Sequence, residues 1–270
     1  MKMAQLTVAV TYQDDRAGRR RLAYADDLAS RCGAELFLAL LDTPLVPALA
    51  AAAGRVAGAS APAADRDFAA LASSLHQCRT ADIAGLEGDW TALAAALASR
   101  ADAVAVSDRP ERHFAGLAAI YPADETEFSR NRDGPPRVLV PFGTGPDAAD
   151  ALEGLVAVLG PMAAKEVVLY HTTWRNPSIA SDDPDRHVCP EAAAVRTALE
   201  ARLDRLGWPY RTVIETAEAV PAGIAQRALG ELCSLICMAR SPHVVKGSYV
   251  DELLARTAVP LLTVAERRIR

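Results

Sequence analysis

The sequence has no excess of positive charge, no paired-cysteine motif and no apolar stretch long enough to cross a bilayer. Lys and Arg number 29 against 34 Asp and Glu, a formal net charge of −5. That balance gives no general attraction to nucleic acid or to an anionic membrane surface, so neither is expected as a partner. The cluster Arg267, Arg268 and Arg270 is local and reads as a solvated tail. The cysteines are five, Cys32, Cys78, Cys189, Cys233 and Cys237, with no C-x-x-C among them. That excludes a disulfide framework and a zinc cage of the usual spacing. Cys233 and Cys237 stand in or beside an apolar strand and read as small core fillers. Cys189 precedes Pro190 at a helix start, a place where a thiol pKa can fall, and otherwise reads as a capping-loop residue. The apolar stretch Leu6–Val10 is far below the ~20 residues of a membrane span, and no signal peptide is visible. A cytoplasmic location is expected. There is no P-loop and no G-x-S-x-G, and the five histidines form no nucleophile–base constellation.

What the sequence does contain is an internal repeat. An apolar strand begins at Leu6 (LTVAV) and another at Val138 (VLVPF), an offset of 132. A second pair begins at Glu35 (ELFLALL) and Glu166 (EVVLYH), an offset of 131. A third is Ala103 (AVAV) and Leu235 (LICMA), again 132 apart. Three strands agreeing within one residue imply one unit written twice. The boundary falls at NRDGPP, Asn131–Pro136, which supplies Gly134 and the pair Pro135–Pro136. The halves are therefore 1–132 and 133–270.

The second half reads throughout as alternating strand and helix. Val138–Phe142 is an apolar run, as expected for a strand covered on both faces. Leu152, Leu155, Val156 and Leu159 form a helical stripe within Asp147–Leu159. Val167–Tyr170 is the next strand. Pro190 opens a helix carrying Val195, Leu199, Leu203 and Leu206, and Gly207 ends it. Arg211–Ala217 alternates and reads as an edge strand. Ile224, Ala228, Leu229 and Leu232 mark another helix. Leu235–Ala239 is a buried strand, Val250, Leu253 and Leu254 mark the last helix, and Leu261–Val264 is the last strand. Strand–helix alternation forces crossover connections, so each half is expected to be a doubly wound, parallel, five-stranded α/β unit of Rossmann-like kind. In the first half, a short helix is expected around Phe114–Ile120 and a closing strand at Glu125–Arg130. Pro44–Ala64, rich in Ala, Gly and Pro, reads as a mobile connection.

Several local patterns invite chemistry. Gly143-Thr144-Gly145 with Ala148 matches G-x-G-x-x-A directly after a strand, the context of a dinucleotide fingerprint. However, His171 and Thr172 occupy the strand end where that motif expects an acid, and Pro146 sits in the turn. The other reading is a tight strand-to-helix turn that needs glycine for its backbone alone. Ser181–Cys189 concentrates Asp182, Asp183, Asp185 and His187, which reads as a solvated acidic loop, and no metal is expected. Ser248 with Asp251 and Glu252 reads as an N-cap followed by first-turn acids. Trp90, Trp174 and Trp208 are scattered and read as caps on core edges.

The order of elements resembles a tandem universal stress protein. The stretches that carry the resemblance are VLVPFGTGPDAADALEGL at Val138–Leu155, EVVLYHTT at Glu166–Thr173, and SLICMARSPHVVKGSYVDELLARTAVPLLTV at Ser234–Val264. It covers nearly all of the second half and the first four strands of the first. The resemblance implies, in ATP-binding members, an Asp at the end of the first strand and a G-x2-G-x9-G-[ST] loop. The amides of such a loop hold phosphates at a helix N-terminus. This sequence departs from both features. Gly143 and Thr11 stand at the Asp positions. Ala239 and Pro242 replace the two leading glycines, and four residues separate Pro242 from Gly247 where the pattern has nine. The first half, with SDRPERHF after its strand, has no glycine in that loop, and Pro110 and Pro242 remove N–H donors.

These observations point to a universal-stress-like regulatory or stress-response protein without standard ATP binding, acting through protein contacts or an atypical small ligand, and not to a conventional enzyme. The alternative is a nucleotide-binding protein or nucleotide-dependent enzyme using the second-half switch point. In either case the candidate ligand residues are Gly143, Thr144, His171, Thr172, Arg240, Lys246, Gly247 and Ser248, with no catalytic residue assigned. An adenine nucleotide in the second half is the one cofactor candidate. A protein partner of unspecified kind and a homodimer are the expected assemblies.

Overall fold

The computed structural model describes residues 6–12, 16–41, 81–86, 103–107, 118–122, 136–145, 147–160, 164, 166–173, 183–216, 219–240 and 249–265. The chain divides into two compact units, Met1–Ala119 and Ile120–Arg270. Residues 131–135 of the expected linker and the segment Pro44–Ala64 lie outside the described residues.

The first unit runs β1 (Thr7–Tyr12), α1 (Arg16–Cys32), β2 (Glu35–Leu41), β3 (Ala81–Leu86), β4 (Ala103–Val106) and β5 (Ala118–Tyr121), the division falling within β5. The strand order is β3-β2-β1-β4-β5. β1 pairs in parallel with β2 and β4, and β2 with β3. Val8, Ala9 and Val10 are wholly buried, the signature of a central strand covered on both faces. Leu22, Ala25, Leu28, Ala29 and Cys32 recur at helical spacing and form the buried stripe of α1. Gly33 ends the helix at φ 60°, a conformation open to glycine at little cost, and Ala34 N–H closes onto Ala29 O at 2.8 Å.

Two expectations for this half change. The residues expected at the end of a Phe114–Ile120 helix form β5 instead. Ala-Ala-Ile-Tyr is too short for periodicity to separate helix from strand, and its place beside β4 decides. The stretch Glu125–Arg130, expected as the closing strand, lies outside the described residues. β3 escaped the sequence reading because Ala-Asp-Ile-Ala-Gly-Leu holds one β-branched residue among poor strand formers.

The second unit runs β6 (Arg137–Pro141), α2 (Asp147–Leu159), β7 (Glu166–Thr173), a 3-10 turn (Pro184–His187), α3 (Pro190–Leu206), β8 (Tyr210–Thr216), α4 (Val220–Gly230), β9 (Leu235–Arg240), α5 (Tyr249–Leu254) and β10 (Leu261–Ala265). Its strand order is β10-β9-β6-β7-β8, parallel throughout. The order reverses between β6 and β9, which makes that junction the switch point. α2 lies against β9, β10 and α3, while α4 packs on α5 and β7. Right-handed crossovers on either side of a switch put the two helix pairs on opposite faces.

The core follows the expected pattern. Val138, Leu139 and Val140 on β6, and Val167, Val168 and Leu169 on β7, are wholly buried. Pro190 opens α3 at its first turn, and Gly207 closes it in the left-handed region at φ 67°. β8 stands at the end of the strand order and is half-buried along most of its length, as expected of an edge strand. The stripe expected on α4 is corrected: Pro221, Ile224, Ala225 and Ala228 are buried, whereas Leu229 is 44% and Leu232 59% exposed. Leu232 falls beyond the helix end, at φ 53°.

Candidate functional site

The residues singled out by sequence lie at the carboxyl rim of the second unit. β6 pairs Pro141 with Tyr170, and the ladder continues one rung as Phe142 N–H donates to Tyr170 O at 2.9 Å. That rung sets Phe142 beside His171, and Gly143 at the level of Thr172. On the other side β6 pairs Leu139 with Ile236, and continuing that register brings Arg240 to the level of Gly143. Gly143, Thr172 and Arg240 therefore share one level across three adjacent strands, astride the switch point. Lys246, Gly247 and Ser248 lie outside the described residues.

His171 is 9% exposed and its ring stacks on Phe142, centroids 4.9 Å apart and planes 20° from parallel. Its Nδ1 lies 2.8 Å from Phe142 O. A carbonyl can only accept, so Nδ1 is the donor of this bond. The bond fastens the last backbone group of the strand just before the turn. His171 thus holds the base of the turn.

Gly143 and Thr144 are exposed, and Gly145 is half-buried. Neither glycine has a positive φ. Among the described residues, a Cβ placed on Gly143 would meet nothing within 4 Å, and one on Gly145 would come no nearer than 3.6 Å to the Asp147 carboxylate. The turn therefore does not need glycine for its backbone, contrary to the simplest reading of Gly143-Thr144-Gly145. What Gly143 provides is a rim position without a side chain, open with respect to the described residues.

The acidic loop has a structural use. Asp183 caps the 3-10 turn by accepting from Asp185 N–H at 3.1 Å, and Asp185 accepts from Arg196 of α3 at 3.1 Å. Among the described residues, no group of His, Cys, Asp or Glu is arranged to hold a metal ion. Cys189 is the N-cap residue of α3 and makes no side-chain cap bond. Cys233 and Cys237 are buried, and burial pushes the Cys233 thiol up to about 12. Cys237 Sγ–H donates to Ala151 O at 3.2 Å. Both are inert fillers at neutral pH.

A second feature had no counterpart in the sequence reading. A cleft of 610 Å³ lies between α4 and the β7–β8 margin, lined by Tyr170, Glu215, Thr216, Gln226, Arg227 and the glycines of α4. Gly223 and Gly230 stand seven apart on one helix face with Gln226 and Arg227 between them, which was the available signal. Charges alternate beside the cleft. Arg137 pairs with Glu166 at 2.8 Å, Glu166 with Arg211 at 3.4 Å, Arg211 with Glu231, Glu231 with Arg227 at 3.0 Å, and Arg227 with Glu215. Tyr170 Oη–H donates to Glu215 at 3.2 Å. Burial raises the Tyr170 pKa, against the opposing pull of Arg227. Burial would also raise Glu231, but its bonds from Arg211 and Arg227 outweigh that and hold the carboxyl below its ordinary value.

No protein-family model and no curated protein matches the chain. Solved structures do. A universal stress protein from Archaeoglobus fulgidus DSM 4304 superposes with a TM-score of 0.64 at 14% identity, over 96% of this chain and 98% of that one. A functionally unknown protein from Pseudomonas aeruginosa PAO1 gives 0.57 at 12% identity, over 97% and 92%. A provisionally assigned universal stress protein from Pseudomonas aeruginosa UCBPP-PA14 gives 0.58 at 12% identity, over 97% and 93%. At these identities the likeness is one of fold: the chain has the tandem universal stress protein fold. Among the described residues no helix is long and apolar enough to cross a membrane.

Proposed function

We propose that the chain is a cytoplasmic regulatory protein of the universal stress type, whose second half works through a protein contact or a small anion other than ATP. The observation that carries this reading is the rim at Gly143. In the ATP-binding members of the family this chain resembles, a carboxylate at that position meets the adenine and ribose side, and Gly143 supplies none, with no described residue within 4 Å of its Cβ position. The neighbouring strand ends at Arg240, a residue type that can pair with an anion. His171, stacked on Phe142 and bonded to its carbonyl, serves the turn and not a reaction. No group at the described rim is placed as nucleophile or base, which favours binding over catalysis.

Calorimetry and thermal shift of the full chain with ATP, AMP and inorganic phosphate, each with and without Mg²⁺, test this. We expect no micromolar response to ATP. Gly143→Asp should fold as well as the parent, because no described residue obstructs its Cβ position. Micromolar ATP binding by the parent chain would refute the proposal.

A further inference from the structure

We propose that β8 is a self-complementary edge through which two copies of this chain pair, antiparallel, about a twofold axis at Val213. The argument starts from the ladder. Val167 N–H donates to Pro209 O at 2.8 Å, so Pro209 turns its backbone groups toward β7. Backbone groups alternate sides along a strand, so Arg211, Val213 and Glu215 also face β7. Thr173 Oγ1 donating to Glu215 O at 3.4 Å agrees with this. Tyr210, Thr212, Ile214 and Thr216 then direct N–H and C=O outward, on the side where the strand order ends. Among the described residues no backbone hydrogen bond reaches that side. Such a row is a template for another strand.

The sequence of β8 selects the partner. With the axis on Val213, antiparallel pairing sets Tyr210 opposite Thr216, Thr212 opposite Ile214, Arg211 opposite Glu215, and Val213 opposite itself. The outward-facing residues meet only one another, so every mutual hydrogen-bonded pair is satisfied. Arg211 and Glu215 fall in the other pairs, where side chains approach most closely. The Arg211–Glu215 pair is then of opposite sign, and the axis generates it twice. The charge series within one copy ends at Glu215 beside the cleft. The Arg211 of a second copy is the cation that continues it. A shift of register by one residue faces outward groups with inward ones, and a shift by two juxtaposes Arg211 with Val213, so the pairing about Val213 is favoured.

Sedimentation velocity and oxidative cross-linking of the full chain test this. We expect the parent chain to form dimers in a concentration-dependent manner. Ile214→Pro, which removes an outward N–H and leaves the β7 ladder intact, should be monomeric with an unchanged circular dichroism spectrum. Residues on the axis have Cα atoms about 4.5 Å apart, within disulfide reach. Val213→Cys should therefore cross-link under mild oxidant well above the parent background, and Ile214→Cys should not. That comparison decides the matter should Ile214→Pro fail to fold. A parent chain monomeric at its solubility limit, a folded Ile214→Pro dimer, or equal cross-linking of the two cysteine variants would overturn the proposal.

Discussion

Gly154 shows how narrowly one position can be constrained. It sits on α2 where the helix meets β10, and a Cβ there would lie 2.1 Å from Val264 Cγ1. Val264 is 4% exposed and has little room to turn away. An alanine gains about 1 kcal/mol of helix propensity, but overpacking a core costs about 1–3 kcal/mol. Gly154→Ala should therefore lower the urea midpoint, and Val264→Ala in the same chain should relieve part of that penalty by removing the methyl at 2.1 Å while Val264 Cβ stays at 2.8 Å. A stabilised single variant would contradict the close approach. Leu232 presents the reverse case. It holds φ 53° while 59% exposed, so a side chain that buries little is kept in a left-handed conformation. Non-glycine residues pay roughly 1–2 kcal/mol there, part of which glycine returns in unfolded-state entropy. Leu232→Gly should raise stability by up to about 1 kcal/mol in the same assay; a clear loss would show that the exposed side chain has an essential contact.

Among the elements, the series Arg137–Glu166–Arg211–Glu231–Arg227–Glu215 ties the end of α4 to three strands. Glu231 is its centre, held by two guanidinium groups. Its folded pKa is depressed, so its contribution to stability is complete above the ordinary carboxylate range and declines as pH falls through the lower folded value. Glu231→Gln should cost about 1 kcal/mol at neutral pH, the scale of part-exposed pairs, and should flatten the acid limb of the stability curve. An unchanged acid limb would place the pH dependence elsewhere. Apart from Arg227–Glu231, four residues apart, these ties were not legible in the sequence, because they join residues far apart in the chain. The elements themselves were legible wherever a period or a terminator stood out: α3 between Pro190 and Gly207, and β6 and β7 as apolar runs. β5 was misread because Ala-Ala-Ile-Tyr satisfies either period, and β3 was missed for want of β-branched residues. On α4, Leu229 and Leu232 satisfied the helical spacing, yet the helix ends at Gly230 and its buried side runs through Ala225 and Ala228. At the rim, Gly143, Thr172 and Arg240 were singled out by motif, and their common level follows from strand register. The role of His171 required the third dimension.

For the whole molecule, a unit written twice has diverged unequally. The second half keeps a rim with Gly143 and Arg240 at one level, while the corresponding first-half positions carry Thr11 and a loop without glycine. It also ends its strand order on an edge whose charges match their own reverse. An association confined to the folded state has a thermodynamic consequence apart from any image of the interface. Mass action stabilises a folded dimer by an amount that grows with the logarithm of protein concentration, because the unfolded chain lacks the paired edge. The melting temperature of the parent chain should therefore rise as its concentration is raised, whereas that of Ile214→Pro should stay level. High salt should reduce the slope, since the Arg211–Glu215 pairs lie at a part-exposed margin and are open to screening. A parent melting temperature independent of concentration would mean that the copies do not meet through this edge, and that β8 is guarded by its charges against pairing.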